Sequence, residues 1–573
     1  MQPTPLPPVD EILNPLRPDS IAVASLPLLP LDLPTTPSEP DFLKTVELET
    51  PATPSVSISY PVFPSIPSVT PINRPLSILD NAASAFPSFG VTKVFPPSLP
   101  NVRDPFDASL LSASLAHVLS AYPHFAGQLR LPRPDDVGRP HQKRYGRVWV
   151  EYGTPNDPGV SFTFSQRDEP VKAVLPREVG ERVSDFGDLC EPPLVPTGSE
   201  VMEGQPTEVK RPGLAVCVTR FSDGAAVFGL RIAHVLSDAT TMNRFVTDWS
   251  DVHRTLLLTG SIASIPLPSR PLSTEALEAH SAGDPDSAVP DPALEAQYRL
   301  LPCSGYDLWA HPELHPAGKV QTSALHPAVA AEDAARGCKR GEPAPWSTWD
   351  LAAPVLRRTV ELSAEEVQSI WRRAQASSGA VKITAYNALA AHFWRLTVRA
   401  RNLPPTTPVN FITGISARSR LGPSLPDTAV GSFVYGVITQ VASGDLISPS
   451  GPFPTAALLR QTIDTATPSG VSLVLHHMSH HLDPTRMATL FSGSTHLGIS
   501  SWIHSGSYAA DFGTGAPSCS KAFISPVDGF FFADEVAGRA DDGQKWWQRG
   551  VVMLLMLPED VMERLLTDAE LRG

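Results

Sequence analysis

Residues 214–258 read LAVCVTRFSDGAAVFGLRIAHVLSDATTMNRFVTDWSDVHRTLLL, and the change of period inside this stretch decides the fold. Residues 214–221 form an apolar run and Ser222, Asp223 and Gly224 a turn. Residues 224–233 then place Ala225, Val227, Gly229 and Arg231 on one face and Ala226, Phe228, Leu230 and Ile232 on the other. Alternation of this kind predicts two strands joined as a hairpin. Beyond Asp238 the apolar positions become Met242, Phe245, Val246, Trp249, Val252 and Leu256, the three- and four-residue spacing of an amphipathic helix. His234 is thereby predicted at a strand-to-helix corner, where packing on both sides can aim one imidazole into a cleft. A neutral imidazole, ordinarily titrating near pH 6.5, can take a proton from a hydroxyl at about pH 7. Asp238 suits a structural charge, bonding the loop backbone or pairing with an arginine.

Composition bounds the classes to which such a corner could belong. The chain has 573 residues, 42% of them hydrophobic, enough for more than one core and suggestive of two domains. A net charge of -14 argues against a nucleic-acid partner or a polybasic membrane anchor, while leaving room for a local basic patch toward an anionic cofactor. Cys190, Cys217, Cys303, Cys338 and Cys519 are odd in number and scattered, without the C-x-x-C spacing of a zinc or redox site. The opening MQPTPLPPVDEIL lacks the basic and apolar regions of a signal peptide, and residues 551–557 fall far short of the ~20 apolar residues of a membrane span. A cytoplasmic protein with no membrane span is expected.

Four segments follow from the patterning. Residues 1–70, dense in proline, serine and threonine, are expected to be an extended or disordered arm. Residues 71–260 form a first mixed α/β domain, interrupted by a polar stretch over 171–211 that reads as a surface loop. Residues 261–350, again rich in proline, alanine and acidic side chains, read as a crossover linker. Residues 351–573 resume the alternation, with helices over 361–376 and 384–399 and a strand over 430–441.

Further short motifs stand in a definite order around the corner. Asp511-Phe512-Gly513-Thr514-Gly515 lies far downstream of His234-Val235-Leu236-Ser237-Asp238. Leu76-Ser77-Ile78-Leu79-Asp80-Asn81 precedes the corner, as does the segment LLSASLAHVLSAYPHFAGQL over 110–129. TAYNALAAHFWRLTVR over 384–399, Ser416-Ala417-Arg418-Ser419-Arg420-Leu421 with its following prolines, and Gly498-Ile499-Ser500-Ser501-Trp502 follow it. Together, over residues 70–260 and 350–570, they resemble the BAHD acyltransferases, of the chloramphenicol acetyltransferase-like superfamily. The long Pro-rich tail and central insertion look more like its divergent fungal, trichothecene O-acetyltransferase-like branch than like the plant members.

The resemblance implies an α/β fold of two domains, each mixed sheet plus helices, joined by the crossover linker with the active site at their interface. It implies direct acyl transfer from acyl-CoA, a co-substrate and not a bound cofactor, to a hydroxyl of a small specialised metabolite or glycolipid. His234 would be the general base. Asp238, Arg418, Asp511, Phe512, Gly513 and Gly515 would be structural residues near the site, with Arg418 as the partner of Asp238. Thr514, Arg420, Ser500, Ser501 and Trp502 would be oxyanion or CoA contacts, the Thr514 hydroxyl or a backbone N–H near Gly513 being the oxyanion candidates. A monomer is the family default. Three departures stand out: Ala239 for the usual glycine, mild in a helix where Ala is favoured by about 1 kcal/mol, Thr514 for tryptophan, and Ser432 for asparagine.

Competing motifs are weaker. His476, His477, His480 and His481 fall at i, i+4 spacing but lack the Glu of a metalloprotease helix, so no metal site is assigned. Ser500 and Ser501 lie outside a G-x-S-x-G elbow, and Cys519 has no matched base beside it. A non-catalytic or carrier-linked, condensation-type relative on the same scaffold is the alternative reading. The single His234 after Ala233 and the absence of carrier or adenylation motifs favour the free-standing enzyme.

Overall fold

The computed structural model describes residues 56–98, 103–202, 210–262, 265–303, 305–308, 310, 314, 341–426, 428–448, 452–484, 487–488, 491–538 and 543–573. Most of the N-terminal arm and Cys338 therefore lie outside the described residues. Within them the chain builds two large sheets and two small, three-stranded ones. The first is six-stranded, with neighbours in the order Val56–Val62, Val160–Gln166, Leu214–Arg220, Ala226–Ile232, Phe89–Phe95 and Cys519–Phe523. The second is eight-stranded, in the order Val434–Ala442, Pro408–Ser416, His496–Ser501, Phe530–Glu535, Gly550–Pro558, Val355–Ser363, Val183–Ser184 and Glu178–Gly180.

The hairpin read from residues 214–233 is present: Leu214–Arg220 pairs antiparallel with Ala226–Ile232, and Gly224 turns it at φ 83°, a conformation favouring glycine. Helix Ala239–Thr259 follows and ends at Gly260 in the left-handed region, the usual helix stop. It packs with helix Ala108–Leu119, whose Ser114 hydroxyl accepts the Trp249 indole N–H at 3.0 Å. In the second half, helix Ala364–Ser377 starts three residues later than the periodicity predicts. Ser363 and Glu366 form a capping box there, which fixes the start and leaves residues 361–363 in the preceding strand. Helix Ala385–Arg401 is likewise boxed by Thr384 and Asn387.

Two segments differ from the sequence reading. The arm does not extend to residue 70, because Val56–Val62 pairs with Val160–Gln166 as a sheet edge. Of the stretch over 171–211, residues 171–202 are no mere surface loop: Val174, Leu189 and Leu194 pack with Val94, Phe221 and Val227, covering the sheet face opposite the main core. The approach is so close that a Cβ on Gly229 would stand 2.2 Å from the Leu194 carbonyl oxygen. Its small strands Glu178–Gly180 and Val183–Ser184 join the second sheet, and Cys519–Phe523 crosses the other way to pair with Phe89–Phe95. Each half thus lends strands to the other's sheet.

The crossover linker has structure of its own, including helices Thr274–Glu278 and Pro292–Tyr298. The histidine run fastens it. His477 Nδ1 lies 3.0 Å from Glu295, its ring stacks on Tyr298 at 3.7 Å, and its Nε2 meets His481 Nε2 at 2.8 Å. Among the described residues no group of three or more His, Cys, Asp or Glu is placed to hold a metal ion. Nor is any helix there long and apolar enough to cross a membrane.

The core of the first half closes around Phe512. Its ring is fully buried between Phe228 at 4.6 Å, Trp249 at 5.0 Å, Phe95 at 5.2 Å and His253 at 5.5 Å. Phe512→Ala should therefore cost about 3–5 kcal/mol in transfer and cavity terms, read as a lowered urea midpoint with an unchanged m value.

Candidate active site

The polypeptide turns at Ala233, leaves strand Ala226–Ile232, makes a 3-10 turn over His234–Leu236 and enters helix Ala239–Thr259. The Ala233 N–H donates to the Gly213 carbonyl at 2.8 Å, so the corner is held before the imidazole begins. The rings of Phe89 and Phe86 tilt against His234 at 4.8 and 5.2 Å, and Nδ1 lies 3.1 Å from Ser432 Oγ. Burial pushes the His234 pKa below its ordinary value, with the imidazole's own backbone bond and the Asp238 charge opposing that shift. The ring is neutral near pH 7. When Nδ1 carries its proton and donates to Ser432, Nε2 keeps a free lone pair.

Asp238 points elsewhere. It caps the helix, Oδ1 accepting the Thr241 N–H at 2.9 Å, while Oδ2 accepts the Phe433 N–H at 3.3 Å and pairs with Arg418 Nη1. Arg418 also donates to Thr241 Oγ1 at 2.8 Å and to the Gly431 carbonyl at 3.2 Å, and its guanidinium lies 4.4 Å over the Phe433 ring. The carboxylate from one half is thus surrounded by groups of the other.

Asp80 is the residue that sequence reasoning passed over. Only 2% exposed, it accepts the Ser432 N–H at 2.6 Å, the Ser77 hydroxyl at 2.7 Å and the Ser77 N–H at 3.0 Å. Burial still raises its carboxyl to about 6. A support therefore runs from Asp80 through Ser432 to the His234 ring. Gly431 permits it, since a Cβ there would come within 2.7 Å of Asp80 Oδ1. The signal was present as Ser77-x-x-Asp80, the pattern of a capping box, which the structure forms; nothing in the sequence joins it to residue 432.

The downstream motif sits apart from this cluster. Asp511 Oδ1 accepts the N–H groups of Gly513 and Gly515 at 2.8 and 2.9 Å, and Oδ2 faces Arg254 at 3.3 Å. Arg254 is sixteen residues beyond the Asp238 cap on one helix, which at about 1.5 Å per residue is roughly 24 Å along the axis. A Cβ on Gly513 would meet Leu257 at 3.0 Å, still nearer the helix end. Thr514 is therefore not positioned as an oxyanion donor to His234, and the Gly513 N–H is already bonded to Asp511. The motif closes a loop on the helix instead.

The remaining candidates scatter. Trp502 is 2% exposed and meets Phe89 edge-on at 6.1 Å, so it backs the wall of His234. Ser500 and Ser501 end strand His496–Ser501, half-buried and exposed respectively. Arg420 lies near the Tyr435 phenol. Directly after Trp502, residues His504, Gly506, Ser507, Tyr508 and Ala509 line a cavity of about 420 Å³ together with Glu535 and Arg549. This wall adjoins the His234 helix, because Asn243 Nδ2 donates to Ser505 Oγ at 2.9 Å.

Comparison with known proteins places this arrangement. A family model described as the Transferase family matches residues 55–261 and 321–572. Acyltransferase AFT15-1 of Alternaria alternata is 22% identical, over 70% of this chain and 74% of its own length. Acyltransferase abl6 of Leptosphaeria maculans is 24% identical, over 80% and 87%. Hydroxycinnamoyltransferase 2 of Oryza sativa subsp. japonica is 26% identical, over 72% and 77%. Among solved structures, TRI101 of F. sporotrichioides complexed with coenzyme A and T-2 has a TM-score of 0.56 at 15% identity, covering 87% of this chain and 98% of that one. Vinorine synthase has a TM-score of 0.53 at 16% identity, covering 90% and 99%. The chain belongs to the Transferase family of BAHD acyltransferases, and it is an acyltransferase.

Proposed function

We propose that the chain moves an acyl group from an acyl-CoA thioester to a hydroxyl of a small specialised metabolite or glycolipid, with His234 as general base and acetyl as the first group to test. The observation that carries this reading is the neutral His234 imidazole, bonded at Nδ1 to Ser432 and clear of the Asp238 carboxylate. In the proposed step, Nε2 takes the acceptor's proton as its oxygen bonds to the thioester carbonyl carbon. The tetrahedral oxyanion then collapses with cleavage of the C–S bond, and the imidazolium protonates the departing CoA thiolate. The proton count closes without a covalent enzyme intermediate.

Coenzyme A is supported as co-substrate by TRI101, whose structures hold coenzyme A with T-2 or deoxynivalenol. For the anionic end of CoA we assign Arg244, half-buried beside Arg418 and Arg270. The latter two pair with Asp238 and Asp248, which leaves one positive charge in excess, suited to phosphate. For the acceptor we assign the cavity beginning at His504, whose volume of about 420 Å³ falls in the range of small-molecule sites.

Purified protein should release CoA thiol in an acceptor-dependent way when acyl-CoAs are screened against hydroxylated metabolites. His234→Ala should lower kcat by about 10²–10⁴-fold with an unchanged urea midpoint; an undiminished rate would end this reading. Thioester hydrolysis without acceptor would separate a competent site from an inert scaffold. Because burial lowers the His234 pKa, kcat should be level above pH 6.5 and fall on acidification with a midpoint below that value, as the base becomes protonated. Asp238→Asn should lose about 3–5 kcal/mol by stranding Arg418, with activity falling alongside the melting temperature; normal melting with lost activity would move Asp238 into the chemistry.

A further inference from the structure

Strand Phe89–Phe95 reaches His234 through Phe89, and four residues along it stands Lys93, a lysine with no exposed surface. Its Nζ donates to the Ser507 carbonyl oxygen and, at 3.2 Å, to Ser520 Oγ. Asp534, on strand Phe530–Glu535 of the other sheet, is 8% exposed. It accepts the Glu535 N–H at 2.8 Å, has the Ser507 side chain beside it and attracts the Lys93 ammonium. Its Oδ2 is buried with no hydrogen-bond partner. An ammonium and a carboxylate withdrawn from water cost several kcal/mol each unless they act on one another, and they do so here across the seam between the two sheets.

Both meet the loop 505–508 at Ser507. Its outer side lines the cavity through Gly506, Ser507 and Tyr508. Its inner side is tied to the His234 helix by Asn243 and to the seam by Lys93. We infer that Lys93 and Asp534 are positioning residues that hold this loop, a wall of the cavity, at a fixed setting against the His234 helix and so govern acceptor affinity. The inference rests on the assignment of that cavity to the acceptor.

The pair also makes the loop sensitive to pH. Burial lowers the Lys93 pKa and raises that of Asp534, which narrows the range over which both are charged. The groups facing them are Cys519 and Lys521 from strand Cys519–Phe523, Tyr508 from the loop, Glu535 on the Asp534 strand and Glu361 from strand Val355–Ser363. Burial pushes the Cys519 thiol and the Tyr508 phenol upward, so neither takes up a charge in this range. As pH rises through its lowered pKa, Lys93 loses its charge and the tie to Ser507 weakens. As pH falls through its raised pKa, Asp534 takes a proton and the attraction is lost.

The test measures KM for acceptor, KM for acyl-CoA and kcat between about pH 6 and 9, in the wild-type chain and in the double variant Lys93→Met/Asp534→Leu. The double variant removes both charges and keeps apolar volume, a replacement that buried pairs tolerate. The wild-type acceptor KM should be lowest near neutrality and climb as Lys93 loses its charge at higher pH. In the double variant it should be raised by about tenfold or more and flat with pH, with KM for acyl-CoA nearly unchanged. Hydrogen exchange at the amides of 505–508 should rise in the same variant and, in the wild type, as Lys93 loses its charge, beyond the intrinsic effect of pH. A double variant that keeps the wild-type acceptor KM and its pH profile, or wild-type protection of 505–508, overturns the inference. Exchange is read without turnover, so an inactive wild type with a loosened loop in the variant would sink the proposed donor and acceptor and leave the pair's hold on the loop standing.

Discussion

The ion pair of Asp238 with Arg418 is the constraint on which the site depends. Asp238 belongs to the first half of the chain and caps its longest described helix, whereas Arg418 and the backbone of 431–433 belong to the second. A carboxylate that caps a helix with one oxygen and receives a guanidinium with the other cannot turn without leaving a buried charge unpaired. That fixes the backbone of 431–433 against the His234 corner and brings Ser432 within reach of Nδ1. Asp80 acts on the same segment from the other side, its carboxylate receiving the Ser432 N–H. The imidazole is thus aimed by two carboxylates that do not touch it.

This division of labour explains why burial and charge pull the histidine in opposite directions. A hydrogen bond between Nδ1 and the Ser432 hydroxyl, aromatic walls on two sides and a nearby but averted Asp238 leave an imidazole with its pKa below the ordinary value, as the proposed base role needs. A carboxylate bonded directly to Nδ1 would make the ring more basic and slower to give its proton back. The neutral hydroxyl at Ser432, where the family usually has asparagine, keeps the hydrogen bond without adding charge.

The corner itself was legible because two periods meet there, 2 for the strand and 3.6 for the helix, and neither depends on distant residues. Helix Ala385–Arg401 was legible for the same reason. What was not legible comes from sequence-distant contacts. Residues 171–211 look polar on average, yet Val174, Leu189 and Leu194 are placed to cover a sheet face whose other side is already core, and no local pattern announces a strand buried twice. Thr514 looked close to the chemistry because it replaces a tryptophan in a recognised motif, but sequence order does not say that the motif docks at the far end of the helix. Asp80 and Ser432 meet across some 350 residues, a separation over which spacing carries no information.

The exchange of strands between the sheets has a consequence during synthesis. Strand Phe89–Phe95 lies next to Ala226–Ile232 on one edge, but its other edge waits for Cys519–Phe523, more than 400 residues later. At about 5–20 residues per second the ribosome would leave that edge without its native neighbour for roughly 20–90 s, with a lysine that has no counter-charge until Asp534 emerges. An open strand edge is a template for unwanted pairing. Lys93, in the middle of that edge, is a charge that an incoming foreign strand would have to bury, so the residue that later ties the two sheets together also guards the nascent one.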